Sequence, residues 1–156
     1  MRKNKKSTLH RLPPALIASV GAIVGLSFIG LVAQETRSMM IIAPFGATAI
    51  LLFSLPRSNA SKPLSVFSSY LLASVVGLAV LYYSSNDWLY IGVGLGIVLF
   101  TMQLLDIVHP PAGAHYIIVT QGSLAFSMIE PLFVGLLTLT IFGLLLKKID
   151  LFLQRA

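Results

Sequence analysis

The sequence of 156 residues contains no cysteine and few charged side chains. Without cysteine, disulfide bonds, thiolate zinc sites, iron–sulfur clusters and thiol nucleophiles are all excluded. Only 10% of the residues are charged and 56% are hydrophobic, whereas a soluble domain is typically about 25% charged. So few charges cannot cover the surface of a soluble globule, so the composition indicates an integral membrane protein.

The basic residues cluster near the ends of the chain, which carries a net charge of +6. Those before the first apolar run are Arg2, Lys3, Lys5, Lys6 and Arg11, and those after the last one are Lys147, Lys148 and Arg155. Such clusters are typical of cytoplasmic flanks that contact anionic lipids, and we expect no nucleic-acid binding. We interpret residues 1–11 as a basic N-terminal tail and residues 151–156 as a short C-terminal tail.

Long apolar runs make up most of the remaining chain. Four of them cover about 12–33, 65–83, 88–108 and 131–146, each near the roughly 20 residues that a spanning helix needs. The first is longer than the core of a signal peptide, so we expect a retained span. Two shorter runs, 39–56 and 107–119, are interrupted by proline and glycine. We therefore predict an all-α membrane protein with a single transmembrane domain, residues 12–150, as a bundle of four long spans and two short broken segments.

The basic residues also test whether the two short segments cross the membrane. If both cross, the N-terminus, the loop "RSNASKP" and the C-terminus share one side, which holds every Lys and Arg except Arg37. If neither crosses, Arg37, Arg57 and Lys62 all lie on the other side. The positive-inside rule favours six segments with both termini cytoplasmic, in a bacterial inner or plasma membrane.

The two short segments also resemble each other, which indicates an internal repeat. Four pairs match at an offset of 67 residues: Pro44 and Pro111, Gly46 and Gly113, Ala47 and Ala114, Ile50 and Ile117. Three segments per unit give the units opposite orientations. We therefore expect inverted repeats, about 12–83 and 84–150, an architecture that places transport sites at the broken segments.

The motifs "PPAGAH" and "APFGAT" suggest how such a site would bind its ligand. Proline suits the first turn of a helix, and small residues after it leave backbone N–H groups accessible to an anion. The residues concerned are Pro110, Pro111, Ala112, Gly113 and Ala114 in one segment, and Pro44, Phe45, Gly46, Ala47 and Thr48 in the other. The alternative, in which neighbouring carbonyls satisfy these N–H groups, stays open.

Ionisable side chains stand beside the second motif. Asp106, His109 and His115 are expected to face a cavity and couple anion passage to a proton, because histidine titrates near about pH 6.5. Gln103 is the best candidate for a neutral polar liner. In the alternative, Asp106 and His109 pair and only fix the bend. The spacing of these residues matches no standard metal site, and we expect neither metal nor cofactor.

The stretch "HPPAGAH" resembles the HPP family of integral membrane proteins, and "APFGATAILLFSLPRS" resembles that family's other well-marked stretch. The resemblance covers most of residues 12–146. It implies that His109, Pro110 and Pro111, together with Pro44, Phe45 and Gly46, are signature residues. It also implies nitrite as a substrate, since plastid and cyanobacterial members are linked with nitrite transport. The family is usually described with four transmembrane helices, from which six segments would depart.

Three functions follow from these patterns. We expect a transporter or channel for a small monovalent anion, most readily nitrite, in a homo-oligomer that helps to enclose the pathway. The first alternative is an accessory membrane subunit that binds partner helices through two GxxxG faces, Gly21 with Gly25 and Gly92 with Gly96. The second is a metal-dependent intramembrane enzyme, which we do not expect because the chain lacks a nucleophile motif.

Overall fold

The computed structural model describes residues 12–36, 42–83, 87–122 and 129–153. All regular structure in these ranges is helical, which confirms the all-α prediction for them. The helices are α1 (Leu12–Thr36), α2 (Ile42–Ser54), α3 (Pro63–Tyr83), α4 (Trp88–Leu104), α5 (Pro111–Thr120) and α6 (Ile129–Leu153), and a 3-10 turn, Asn59–Ser61, links α2 to α3. The predicted tails lie outside the described residues, apart from residues 151–153, which belong to α6.

Within the described ranges, three helices are long and apolar enough to cross a membrane. The spans are Leu12–Glu35, Pro63–Tyr83 and Pro131–Ile149, with 24, 21 and 19 residues. Large apolar side chains lie exposed along them, which suits a surface that faces lipid. The predicted fourth long span is shorter than expected, because α4 has only 17 residues.

Helix α4 ends at Leu104, although the apolar run continues beyond it. The N–H groups of Asp106 and Ile107 donate back to carbonyls of the last turn at 3.2 and 3.0 Å, an arrangement that closes a helix with one left-handed residue. That residue is Asp106, with a φ of 53°. Aspartate tolerates this conformation when its short side chain finds a local partner. Here the carboxylate accepts a hydrogen bond from the Asn59 amide at 3.2 Å.

The start of α1, the end of α6 and the connections after α2 and α4 meet at one end of the bundle, which we call the loop end. The start of α1, the segment after α2 and the second half of α6 come together there, because Pro14, Pro56 and Leu146 line one cavity. The bond between Asn59 and Asp106 brings the end of α4 to the same place. The start of α1 and the end of α6 therefore lie on the same side of the bundle, as the six-segment interpretation requires.

Both short helices run through the bundle instead of turning back. Helix α5 runs parallel to α3: His109, just before α5, contacts Ala60, just before α3. At its other end, Gly122 lies near Leu81, close to the end of α3. Helix α2 runs parallel to α6 in the same way, since Phe45 packs at Gly135 and Leu52 at Gly143. Successive helices therefore alternate in direction.

The helices pack as two three-helix bodies. The first body contains α1, α2 and α6, and the second contains α3, α4 and α5. The short helices α2 and α5 meet at the interface between the bodies, where α3 and α6 touch only lightly. Each body therefore holds one short helix against two longer ones, and the fully buried side chains of the core cluster, such as Phe45, Tyr70 and Tyr116, lie on the helices that meet there.

Candidate functional site

Buried polar side chains gather where α2, α3 and α5 meet. We call this set the central polar cluster: Thr48, Ser69, Tyr70, Ser74, His109 and His115. All except the half-buried Ser74 are at most 1% exposed. A polar group that is buried without a hydrogen bond costs roughly 1–3 kcal/mol in protein mutational data. The cluster therefore persists only through its internal bonds.

The hydrogen bonds of His109 determine which ring nitrogen carries the hydrogen when the ring is neutral. The Ala60 carbonyl can only accept, so Nδ1 of His109 carries a hydrogen and donates it over 2.6 Å. In the neutral ring Nε2 is then an acceptor, and the Thr48 hydroxyl donates to it at 3.0 Å. Thr48 in turn accepts from the Tyr70 hydroxyl at 2.9 Å. In this neutral form, His109 joins the 3-10 turn and α2 to the start of α5.

His115 has a free nitrogen. The single hydrogen of the Ser74 hydroxyl goes to the Tyr70 carbonyl at 2.9 Å, which leaves the oxygen to accept from Nε2 of His115 at 2.8 Å. Nδ1 of His115 is then a bare acceptor, buried without a hydrogen-bond partner in the described part of the chain. Such an orphaned atom is unusual and needs a physical explanation.

The Tyr70 ring stands between the two histidines. Its centroid lies 5.8 Å from that of His109 and 5.0 Å from that of His115. The Ser69 hydroxyl donates to the Ile107 carbonyl, and the Tyr116 hydroxyl donates to the Ile91 carbonyl at 2.8 Å. Helix α3 therefore organises the cluster, while the second of these bonds fixes α5 against α4.

The backbone N–H groups after the double proline are not free. Ala112 donates to the His109 carbonyl at 3.0 Å, and Gly113 donates to the Pro110 carbonyl at 2.9 Å. Pro110 already has helical angles, φ −53° and ψ −36°, so these carbonyls point along the new helix. Pro111 does begin α5 as predicted. The prediction of exposed donors at Ala112 and Gly113 is wrong, and the alternative of neighbouring carbonyls is right for both.

The first short segment does not present a helix end at its motif either. Helix α2 begins at Ile42, two residues before Pro44. The N–H groups of Gly46, Ala47 and Thr48 therefore lie inside the helix, one turn after its first carbonyls. A helix that starts before the proline leaves no anion cradle at these three positions.

Each short helix turns one side of its motif inward and the other outward. The buried residues are Pro44, Phe45, Thr48, Pro111, Ala112 and His115, whereas Ala47 and Ala114 are exposed and Gly46 and Gly113 are less exposed. Helical geometry causes this division, because residues one and four apart share a face and those between them do not. Of the predicted side chains, the structure brings Phe45, Thr48, His109 and His115 to the centre.

Three other predicted residues lie at the surface. Gln103, Asp106 and Pro110 are exposed, and Asp106 faces Asn59 instead of a histidine. The predicted pairing of Asp106 with His109 is wrong because the left-handed turn after α4 separates them. Among the described residues, no three His, Asp or Glu side chains form a group that could hold a metal ion.

The sequence interpretation missed the contribution of α3. Small residues recur there at every fourth position, Ser65, Ser69, Ala73 and Gly77, and all four are buried. Such a stripe lets two helices approach closely, and here α3 packs against α5 along it. The spacing was visible in the sequence and would have identified a face of α3 that packs closely against another helix.

A groove reaches the central polar cluster from outside. It runs between α3 and α6, has a volume of about 450 Å³, and is mostly apolar. Ser68, Tyr70 and Ser74 line its α3 side. His115 lies directly behind Ser74, to which it is hydrogen-bonded. The groove therefore reaches Ser74, whose hydroxyl is bonded to Nε2 of His115, while His115 itself stays buried behind the wall of the groove.

Comparison with known proteins gives the family of the chain. A transmembrane protein of Dictyostelium discoideum is 27% identical over 94 residues, which cover 58% of this chain and 33% of that protein. The chain thus spans about a third of that relative's length. No solved structure matches the chain. The family described as "HPP, transmembrane region" matches residues 7–154, and the chain is a multi-pass membrane protein that belongs to this HPP transmembrane family.

Proposed function

We propose that the protein carries a small monovalent anion across the membrane, with nitrite as the substrate that the family resemblance favours. The observation that carries this proposal is the unpartnered Nδ1 of His115, buried on the short helix α5, which packs against α2 of the other body, and next to a serine that lines the groove. A purely structural histidine would have both ring nitrogens bonded, as His109 has.

The chemistry of His115 suggests how an anion would be held. An isolated anion is very costly in a low-dielectric interior, and a neutral imidazole nitrogen has no hydrogen to offer it. A proton on Nδ1 supplies both a positive charge and a donor. The anion and the proton would therefore bind together, which makes the occupied site electrically neutral. We therefore assign proton coupling to His115, whereas His109 has a structural role that holds α2 and the 3-10 turn to the start of α5.

The packing of the helices suggests the pathway. Helices α1, α2 and α3 run opposite to α4, α5 and α6 respectively, the relation expected of inverted repeats, which we propose they are. The two bodies touch through α2 and α5 and lightly through α3 and α6. Rocking of one body against the other would open the groove alternately to either side. On a single chain the groove faces lipid, so we propose that a second copy covers it, with the loop end cytoplasmic.

Flux through liposomes tests this function. Purified protein is reconstituted, and uptake of nitrite, nitrate, formate and chloride is measured with and without an inward proton gradient. We expect saturable uptake of nitrite that rises as the outside pH falls, because protonation of His115 accompanies binding. His115→Gln keeps a polar side chain but cannot carry the proton, so its uptake should fall at least tenfold and lose its pH dependence.

Two controls make the flux result interpretable. Thr138→Val changes a half-buried hydroxyl outside the cluster and should transport like the wild type. Gel filtration in detergent shows whether each variant is folded. Wild-type flux in a folded His115→Gln protein would refute the assigned site, and absence of any anion flux in folded wild-type protein would refute transport by this chain alone.

A second candidate function rests on α4. Gly92 and Gly96 lie one turn apart with no atom of another described residue near the position of a Cβ. Gly21 and Gly25 instead pack against Leu146 and Leu139 of the same chain. The open face of α4 favours the alternative of an accessory subunit that binds a partner helix. Gly92→Leu would then abolish co-purification of the partner while leaving the fold intact.

A further inference from the structure

A second, smaller cavity lies at the loop end, away from the central polar cluster. It has a volume of about 40 Å³ and sits between the end of α2, the start of α3 and α6. Its polar lining consists of Ser61, Lys62, Thr140 and Lys147. None of the residues that line it is acidic. The cavity is thus lined by two lysines and two residues with hydroxyl groups.

The Thr140 hydroxyl is the unusual member of this lining. Thr140 is 5% exposed, and its Oγ1 has no hydrogen-bond partner within the described ranges. A hydroxyl on a helix commonly donates to the carbonyl one turn back. Ser19 and Ser74 both do so, at 2.9 Å. Thr140 makes no such bond, so a residue that lines the cavity carries a buried hydroxyl without a partner in the described part of the chain.

The neighbouring groups determine what the cavity can accept. The Ser61 hydroxyl donates its hydrogen to the Leu51 and Leu55 carbonyls at the end of α2, at 3.0 and 2.8 Å, so it has no hydrogen left for a ligand. The lining residues that can still donate are Thr140, through its hydroxyl, and Lys62 and Lys147, which bring positive charge to the edge of the cavity. Donors and positive charge without a carboxylate favour an anion over a cation.

We propose that this cavity binds one small oxyanion group, with Thr140 as the neutral donor and Lys62 and Lys147 as the charged ones. Its volume exceeds the roughly 10–15 Å³ that one water requires and is too small for an organic anion. Either a free inorganic anion or the phosphate of a lipid meets this description. The site is separate from His115, so its occupancy is measured by binding and not by flux.

Binding is tested on purified full-length protein in nanodiscs of zwitterionic lipid, in gluconate buffer. Broadening of the ³⁵Cl resonance reports a bound anion, and sodium nitrite or phosphate is added to displace chloride. Native mass spectrometry of protein released from a second set of nanodiscs, which contain phosphatidylglycerol, reports retained lipid. The test variants are Thr140→Val and Lys147→Gln. Their matched controls are Thr138→Val and Lys148→Gln, which make the same changes at neighbours that do not line the cavity.

We expect the wild type and both controls to bind, and both test variants to bind at least tenfold more weakly. Displacement by free nitrite or phosphate would identify an inorganic anion, and loss of phosphatidylglycerol alone would identify a lipid phosphate. Thr140→Val should also raise the melting temperature without anion and lose that advantage when anion is added. Equal binding by Lys147→Gln and Lys148→Gln, or no binding by the wild type in either assay, would overturn the proposal.

Discussion

The Thr48 hydroxyl joins three helical segments through two hydrogen bonds. It accepts from Tyr70 of α3 at 2.9 Å and donates to His109 before α5 at 3.0 Å. Thr48→Val keeps the shape of the side chain and removes both bonds. The Tyr70 hydroxyl is then a buried donor without an acceptor, and Nε2 of His109 is a buried acceptor without a donor. We predict that this is among the most destabilising polar substitutions in the cluster.

The magnitude follows from what the two partners lose. Hydrogen bonds between membrane helices average only about 0.6 kcal/mol in double-mutant cycles, so two of them set a lower limit of about 1 kcal/mol. A buried group left unsatisfied costs about 1–3 kcal/mol, so two of them set an upper limit of about 6 kcal/mol. Because Thr48 and His109 are completely buried, we expect a loss of about 2–4 kcal/mol.

Two related variants give the prediction its order. Tyr70→Phe removes one bond but leaves Thr48 donating to His109, so it should cost about 1 kcal/mol. Thr48→Ser retains both bonds and should cost less than Thr48→Val. Unfolding by sodium dodecyl sulfate in mixed micelles, followed by circular dichroism, gives the free energies. If Thr48→Val is no worse than Thr48→Ser, or if Tyr70→Phe is the worst of the three, the hydrogen-bond chain does not hold the cluster together.

Two other substitutions test the packing and the helix end. Gly77→Ala should destabilise the protein by about 1–3 kcal/mol, because the added Cβ would lie 2.8–2.9 Å from Val119. The control Gly92→Ala adds its Cβ in open space and should change the free energy of unfolding by no more than about 0.5 kcal/mol. Unfolding in mixed micelles measures both. Asp106→Val should cost about 1–2 kcal/mol, because a branched side chain disfavours a φ of 53°, while Asp106→Asn should be close to neutral. Equal costs for the two Asp106 variants would show that the left-handed turn does not matter.

The sequence predicted the membrane class and the six helical segments, whereas it placed both histidines at a cavity and the structure buries them. The class and the segments depend on apolar runs, on proline and glycine, and on the cost of polar groups away from water, all of which are local properties. Pro111 begins α5 for the same reason, since proline fits the first turn of a helix. The bounds of α4 were less predictable, because the left-handed turn at Asp106 requires a partner, Asn59, that is distant in sequence.

The prediction of free backbone N–H groups after the double proline was wrong, because the same sequence pattern fits both an extended and a helical residue before the helix. Small residues after a proline expose their N–H groups only if the preceding residues are extended. Pro110 is helical instead, so the carbonyls of His109 and Pro110 take up these donors. The roles of the two histidines also depend on tertiary contacts. His109 meets Ala60 and Thr48, and His115 meets Ser74, across separations that no local pattern reveals.

The way the two bodies are assembled has a consequence for folding. The body of α1, α2 and α6 contains two helices from the N-terminal half of the chain and one from the C-terminal half. The body of α3, α4 and α5 contains one helix from the N-terminal half and two from the C-terminal half. Each half therefore gives its last helix to the other body. The small-residue stripe of α3 and the glycines of α6 then lack their facing helices in a separate half. Residues 1–83 and 84–156 expressed alone should be degraded, and co-expression should restore a stable complex, because only the pair completes either body. Stable accumulation of one half by itself would show that the exchanged helices contribute little to the packing.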